Sequence, residues 1–505
     1  MHDFYLAAER DANMVAVAAN ERLLPLIFGD LRVGIVTAIG RLLLVGGLTV
    51  ASAMASTAPA RGRVNQPMQP VPAREFNPAA PWTLQRAVAR AVEANPDVLA
   101  AKYEVERQEG ARLQIQARML PSVTATAGVN QREAGLVDLP PSELAQHPAT
   151  KDLGVALFGY DMQIELRQTL FDGFSSWNAT KRQKLQSKQA FLNLKGIVGR
   201  TVAQVRQGFD AILMRTEAVA AERRRVDEFE QLVKLTERKN AIGDVPEFEL
   251  LRAEAELEGA RADLAEAIRA ESQAEQSFRR LLQIPASGAP LRLDGQFVPR
   301  PFDLPLADAL SKARANRPDL EAAGAAVEAA RRNLMSDVGT HLPRVDAFAT
   351  YGSRTSYYTS SIRLNGWTYG LSGQWNLFES GAGRGRRVAL RADLRSAQAK
   401  LAETEQGLAS QLTELYQGLQ QARVAIEAQQ KSVSTSDRAA QNARRQYEVG
   451  AANLEQVLQA DITHRRAVSR LNEVVYSYNS MVAEIELSVG GQISDSLSVP
   501  ETWKP

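Results

Sequence analysis

Four segments of the chain alternate apolar and polar side chains with period two. Tyr160, Met162, Ile164 and Leu166 share one face of an extended strand, and Asp161, Gln163, Glu165 and Arg167 share the other. Trp367, Tyr369, Leu371, Gly373, Trp375 and Leu377 oppose Thr368, Gly370, Ser372, Gln374 and Asn376 in the same way. Weaker alternation links Val123, Ala125, Ala127 and Val129, and again Val345, Ala347, Ala349 and Tyr351. The pattern predicts four strands in two hairpins, each about 9–11 residues, the length of a tilted membrane-spanning strand. Tyr160, Trp367 and Trp375 lie near strand ends, where a bilayer interface favours aromatics. A half-buried strand of a soluble sheet is the better explanation of any one run; the four together, as two hairpins behind an export signal, favour the membrane reading.

Between the strands the period changes to that of helices. No proline occurs from about Phe174 to Asn240, and a helix of that length spans about 100 Å at 1.5 Å per residue. Val198, Val202, Val205, Phe209, Ile212, Thr216 and Val219 are spaced as a heptad seam, repeated by Leu408, Leu412, Leu415, Leu419, Ala422 and Ile426. The return helices, about Glu247 to Leu282 and Asn453 to Ser488, are rich in Ala, Glu and Arg, so small side chains allow close lateral packing.

These segments belong to one unit that occurs twice. Leu84, Ala87, Ala91, Pro96, Asp97, Leu120 and Pro121 reappear as Leu306, Ala309, Ala313, Pro318, Asp319, Leu342 and Pro343, a constant offset of 222. From Phe171/Phe378 to Gly243/Gly450 the offset is 207, so the first copy carries 15 extra residues between Pro121 and Phe171. Each copy reads as helix, two strands, very long helix, turn, helix. Thr83 is the expected N-cap of the first opening helix, and the Leu-Pro pairs at 120–121 and 342–343 are expected to end the opening helices, because proline disfavours helical geometry in the residue before it. The longer connection, about Gln131 to Gly159 with Pro140, Pro141 and Pro148, is expected to be an extracellular loop, with Ser142 exposed on it.

Composition narrows the chemistry. The chain has 505 residues, more than one core usually supports, with 45% hydrophobic and 23% charged residues. A mean hydropathy of −0.26 excludes a polytopic helical membrane protein. Lys and Arg number 60 against 58 Asp and Glu, mixed along the chain, so no basic face points to nucleic acid. The absence of Cys removes disulfides and thiolate chemistry, and four His leave little for a metal or acid–base centre.

The apolar run Leu42 to Val50, preceded by Arg32 and Arg41 and followed by Ala51-Ser52-Ala53, predicts an export signal cleaved near Met54. The rival reading, one membrane helix over 31–50, would hold Arg41 mid-span at a cost of about 2.5–3.5 kcal/mol. Translation from Met14 or later is the other open alternative.

Few residues invite catalysis. The glycines of Gly381-Ala-Gly-Arg-Gly385 leave a hairpin strand and enter a long helix, without the βαβ unit a phosphate-binding loop needs, and read as a joint. His147, His341 and His464 lack metal-ligand spacing, no nucleophile elbow appears, and the carboxylate pairs lie on charged helix faces. The expectation is no enzyme, no cofactor and no metal. The turns Ile242-Gly-Asp-Val-Pro246 and Val449-Gly-Ala-Ala-Asn453 are the better candidates, with Gly243, Asp244, Val245, Pro246, Gly450, Ala451, Ala452 and Asn453 as their tip residues: glycine closes a helix with positive φ, and Pro246 and Asn453 suit the start of the next.

The whole pattern resembles the TolC-type outer-membrane efflux proteins over nearly all of the chain after the leader. The resemblance rests on Asn95-Pro96-Asp97 and its echo Asn316-Arg317-Pro318-Asp319, and on Leu-Pro before the strands. Gln168-Thr-Leu-Phe-Asp-Gly173 and Trp375-Asn-Leu-Phe-Glu-Ser-Gly381 follow the strands, and Tyr447-Glu-Val-Gly-Ala-Ala-Asn-Leu-Glu-Gln-Val-Leu458 forms the second tip.

It implies an internally duplicated α+β membrane protein: a trimeric 12-stranded β-barrel, four strands per chain, continued by a long periplasmic α-helical barrel. Independently, four strands cannot close a barrel, so several chains must contribute. The expected organisation is a leader (1–53), a flexible segment (54–81), repeat one (82–283), a linker (284–304), repeat two (305–489) and a tail (490–505). By resemblance the chain is a passive exit duct in the outer membrane, reaching into the periplasm. Its implied partners are outer-membrane lipid, a periplasmic adaptor docking at the two turns, and an inner-membrane pump of ABC, RND or MFS type. A periplasmic coiled-coil adaptor or spacer is the alternative, explaining the heptads but not the strands. Family members often place acidic side chains at the tunnel entrance; here Glu249 holds such a position, whereas Gln456 and Gln459 stand where carboxylates are expected. Glu455 and Asp461 are assigned to the outward face.

Overall fold

The computed structural model describes residues 81–133, 156–286, 290–355 and 363–490. The export signal, nearly all of the flexible segment, the middle of the long first connection with Ser142, and the tail after Gly490 lie outside the described residues.

Repeat one comprises α1 (Leu84–Ala94), α2 (Pro96–Ala117), β1 (Ser122–Glu133), β2 (Ala156–Phe171), α3 (Ser175–Ala241) and α4 (Glu247–Leu281). Repeat two gives α5 (Leu306–Asn316), α6 (Pro318–Gly339), β3 (Arg344–Thr355), β4 (Arg363–Gln374), α7 (Ala382–Glu448) and α8 (Leu454–Val489). The opening helix of each copy is therefore two helices, not one. Pro96 and Pro318 sit at the first helical position and force an extended residue before them, Asn95 (ψ 127°) or Arg317 (ψ 118°). Asn95 uses that conformation to cap α2, its Oδ1 accepting from Asp97 N at 2.9 Å. Thr83 caps α1 as expected, accepting from Arg86 N at 3.3 Å. The helices before the strands end at Ala117 and Gly339, some three residues ahead of the Leu-Pro pairs, because a turn intervenes.

The strands form one antiparallel sheet in the order β1-β2-β3-β4. Its register aligns Val123, Leu166, Ala349 and Tyr369 in one row and Ala125, Ile164, Tyr351 and Trp367 in the next. These rows make the middle of one face apolar, between Gln168 on one side and Ser353 and Asn365 on the other, and Val123, Ile164, Leu166, Trp367, Tyr369 and Leu371 on it are exposed in the single chain. The other face carries Thr124, Glu165, Thr350 and Thr368, then Thr126 and Gln163. Strand limits differ from the alternation: β1 and β2 extend into the expected loop, to Glu133 and from Ala156, whereas β4 ends at Gln374. Trp375 and Leu377 lie beyond it, with Trp375 Nε1 donating to His341 O at 3.0 Å.

Next to the sheet, α2, α3, α6 and α7 pack in the order of the strands they continue, and farther along α3 its neighbours become α4 and α8. The long helices α3 and α7 have 67 residues each, about 100 Å at 1.5 Å per residue. Their seams are buried: Val205, Phe209 and Ile212 pack with Trp82 and Phe278, and Leu412, Leu419 and Ile426 with Val475, Tyr478 and Ile485. Thr216 alone breaks the first seam; it is exposed and donates to Glu271 Oε1 at 2.7 Å. In α4, Ala253 and Ala260 are fully buried, so small side chains do bring this helix close to its neighbours. No described helix is long and apolar enough to cross a membrane.

Candidate functional site

Each long helix ends in a tight turn whose glycine adopts positive φ, +79° at Gly243 and +73° at Gly450. A Cβ at either would meet nothing within 4 Å, so backbone conformation rather than packing demands glycine. In the first turn Gly243 N donates to Asn240 O and Asp244 N to Lys239 O, both at 2.9 Å, recovering carbonyls the helix end leaves unpaired. Asn240 Nδ2 donates to Val245 O at 3.0 Å, and Lys239 Nζ lies 3.2 Å from the Asp244 carboxylate. Pro246 then N-caps α4 with extended geometry. In the second turn Ala451 N (2.7 Å) and Ala452 N (3.2 Å) share Gln446 O, and Asn453 Oδ1 caps α8 by accepting from Gln456 N at 3.0 Å.

The first residue of each turn is given no role of its own by sequence reasoning. Ile242 and Val449, equivalent under the 207 offset, are 81% and 79% exposed although apolar. Phe248 and Leu251 on the first turns of α4 are exposed as well. An apolar residue at the same place in both repeats, just past a helix end, is the signal that would have found Ile242 and Val449.

Behind the turns the two hairpins are fastened together. Tyr447 of α7 is 1% exposed, and Lys239 Nζ lies 5.1 Å from the centre of its ring. Thr236 Oγ1 donates to Leu232 O at 2.9 Å, which leaves the Tyr447 hydroxyl to donate to Thr236 at 3.0 Å, with Glu249 Oε2 a longer acceptor at 3.4 Å. Burial, with the Glu249 charge adding to it, raises the Tyr447 phenol above its ordinary value. Glu249 is thus half-buried at the joint between hairpins, whereas Gln456 and Gln459 are exposed and line a groove of about 450 Å³ together with Glu455 and Thr463. Glu455 is ion-paired with Arg252 of α4.

Asp461 corrects an expectation: it does not face outward. It is 5% exposed and accepts from Arg225 Nε at 3.0 Å and Arg444 Nη2 at 3.2 Å. Arg225 also reaches Asp263 at 2.8 Å and Glu222 at 3.4 Å, and Arg444 reaches Glu228 at 2.6 Å. One charge network therefore joins α3, α4, α7 and α8 beside a cavity of about 320 Å³. Desolvation of Asp461 is offset by two guanidinium partners, the arrangement a buried carboxylate needs. Among the described residues no group of three or more His, Asp or Glu side chains is arranged to hold a metal ion.

Residues 87–283 and again 309–491 match the family described as outer membrane efflux protein. No curated protein sequence matches the chain. Similar solved structures include a membrane protein from Pseudomonas aeruginosa (19% identity, TM-score 0.70, covering 81% of this chain and 90% of that one). The CmeC outer membrane channel of Campylobacter jejuni is similar at 16% identity and TM-score 0.68, over 81% of this chain and 85% of that one. The open state of the MtrE outer membrane channel of Neisseria gonorrhoeae is similar at 17% identity and TM-score 0.65, over 81% and 89%. At these identities the likeness is one of fold.

Proposed function

The chain belongs to the outer membrane efflux protein family, passive channels of the outer membrane rather than enzymes, and from that premise we propose that it is the exit duct of a tripartite efflux or type I secretion system. Three copies supply twelve strands to one barrel, and their long helices continue it as a tunnel through the periplasm. The observation that carries this reading is the sheet: four strands with one face largely apolar and exposed, the other largely polar. A soluble sheet would bury the apolar face, and a sheet of four strands cannot close on itself, whereas a shared barrel turns that face to lipid and the polar face to water. The same observation disfavours a periplasmic adaptor or spacer, which has no use for such a face.

Energy comes from an inner-membrane pump of ABC, RND or MFS type, reached through a periplasmic adaptor at the Gly243–Pro246 and Gly450–Asn453 turns. Exposed Ile242 and Val449 supply apolar contact at those turns. Gln456 and Gln459 then line the tunnel entrance without adding charge. Outer-membrane fractions should contain heat-modifiable trimers, and cysteines placed at Ile242 or Val449 should cross-link to the adaptor. A monomer in the soluble periplasmic fraction would overturn the reading.

A further inference from the structure

The zone where strands give way to helices carries a second pattern that channel function does not require. On α3, Trp177, Lys181, Lys184 and Lys188 are spaced 4, 3 and 4, so they lie on one helix face, beginning just after exposed Phe174. On the neighbouring α6, running the opposite way, Glu328, Arg331 and Arg332 lie farther from the strands, and exposed Met335 and Val338 nearer to them. Both helices are therefore zoned alike: apolar or aromatic next to the sheet, charged one to three turns away.

The charged zone is a built surface. Lys181 Nζ sits 4.2 Å from the centre of the Trp177 ring, and the Arg332 guanidinium lies 5.8 Å from the same ring. A groove of about 200 Å³ is lined by Lys181, Lys184, Leu185, Lys188, Glu328 and Arg332, four cations against one carboxylate. Arg332 contacts Glu328 at 3.0 Å and Lys188 contacts Glu321 at 2.7 Å, so Lys181 and Lys184 dominate the residual charge. The α3–α6 pair lies between α2 and α7, away from the edges where another copy of the chain would join. The groove thus faces either the surrounding medium or the lumen. Exposed Trp177 on this face, and exposed Phe174, whose ring centre lies 5.8 Å from that of Phe171, decide for the outside, because exposed aromatics are favoured at a membrane–water interface and not in a water-filled duct.

We propose that Lys181, Lys184 and Arg332 form a binding surface for the headgroups of anionic phospholipid in the periplasmic leaflet of the outer membrane. This inference rests on the barrel reading above. Lys181 and Lys184 follow Trp177 by about 6 and 10 Å along the axis, and a headgroup layer about 5–7 Å deep puts their ammonium groups within reach of lipid phosphates once the indole marks the interface. The site ties the joint between barrel and tunnel to the membrane plane and resists sliding along the normal.

The test uses the full-length trimer purified in detergent. Native mass spectrometry with phosphatidylglycerol or phosphatidylcholine of equal chain length should show preferential retention of phosphatidylglycerol. The preference should fall about fivefold for each cation removed in Lys181→Gln, Lys184→Gln and Arg332→Gln. Lys181→Arg with Lys184→Arg should keep it, which carries the test if the neutral variants assemble poorly. Equal retention of both lipids by the wild type, an undiminished preference in the triple glutamine variant, or displacement of the lipid by millimolar inorganic phosphate would overturn the proposal. Heat-modifiable trimers in those same samples would show that the barrel reading survives while the lipid surface fails.

Discussion

Gly173 and Gly339 meet backbone to backbone. A Cβ on Gly173 would lie 2.2 Å from Gly339 O, and one on Gly339 would lie 2.3 Å from Gly173 O. The exit of β2 and the end of α6 are thereby locked at the junction of sheet and helices. Gly173 also requires positive φ (+67°), but Gly339 is glycine for space alone. Gly339→Ala should cost about 1–3 kcal/mol, as overpacking against immovable backbone does. Gly259→Ala, in an exposed helical position with nothing within 4 Å, should stabilise by about 0.5–1 kcal/mol. Melting of the purified trimers distinguishes the two; equal shifts would show that the close approach is absent in solution.

The buried seams give a second expectation. Ile212 and Leu419, equivalent under the repeat, are 4% and 3% exposed, so an Asp at either would bury an unpaired charge. Each should lower stability by more than about 4 kcal/mol and reduce trimer yield. Thr216→Ala, on the same stripe but exposed, should change it by less than about 1 kcal/mol. An unchanged melting temperature in both Asp variants would mean that the seams are not packed.

What the sequence makes legible follows from what repeats locally. Alternation at 160–166 and 367–371 and the proline-free heptads declare strands and long helices, because period reports directly on which face is buried. The break at Asn95-Pro96 is also written locally, as a capping Asn before an N1 proline, although the echo of these residues at 316–318 marks the repeat more plainly than it divides the helix. Contacts assembled from distant segments are different in kind. Asp461 reads as a solvated charge on α8 until Arg225 and Arg444 arrive from two other helices. Nothing near Gly339 in sequence announces Gly173.

A third expectation concerns the linker between repeats. Arg300 Nη2 reaches both Asp210 carboxylate oxygens, at 2.9 and 3.0 Å, and Arg300 N donates to Asn479 Oδ1 at 3.0 Å, tying the linker to α3 and α8. Burial pushes the Asp210 carboxyl up, and Arg300 opposes it. In Arg300→Met burial acts with less opposition. A raised acid holds its proton longer in the folded state, so its contribution is fully present below the unfolded value of about 3.9 and is lost as pH rises. The variant should therefore lose about 2–4 kcal/mol at neutral pH and recover part of it towards pH 4. A deficit independent of pH would separate the loss from Asp210.

Tyr447 supplies a pH signature at the other end of the scale. Its phenol is raised by burial, so the folded state holds the proton where the unfolded chain releases it. The stability it contributes is complete below about pH 10 and declines above it. Tyr447→Phe should cost about 1 kcal/mol at neutral pH, since the Thr236 hydroxyl keeps its bond to Leu232 O. The difference between wild type and variant should shrink as pH rises past 10. A gap that stays constant to pH 11 would show that the hydroxyl does not hold its proton in the joint.

At the tips, structural need and contact can be separated because the glycine is unpacked. Gly450 has φ +73° and open space around its Cα, so any cost of replacing it is conformational. Gly450→Val should strain the turn by about 1–2 kcal/mol, while Gly450→Asn, which tolerates the left-handed region, should cost less. Neither reaches the sheet at the other end of α7, so both should give normal trimers in the outer membrane. If the turn docks the adaptor, Gly450→Val should lose cross-linking and export while Gly450→Asn keeps both. Gln459 tests conduction instead. It is exposed in the groove about two turns farther along, and Gln459→Asp would add one carboxylate per copy at the entrance. That change should leave export intact and raise cation preference in bilayer conductance, because like charges around a constriction deepen its negative potential. Full export by Gly450→Val at wild-type abundance would remove this turn from the docking surface, and unaltered selectivity in Gln459→Asp would put that side chain outside the conducting path.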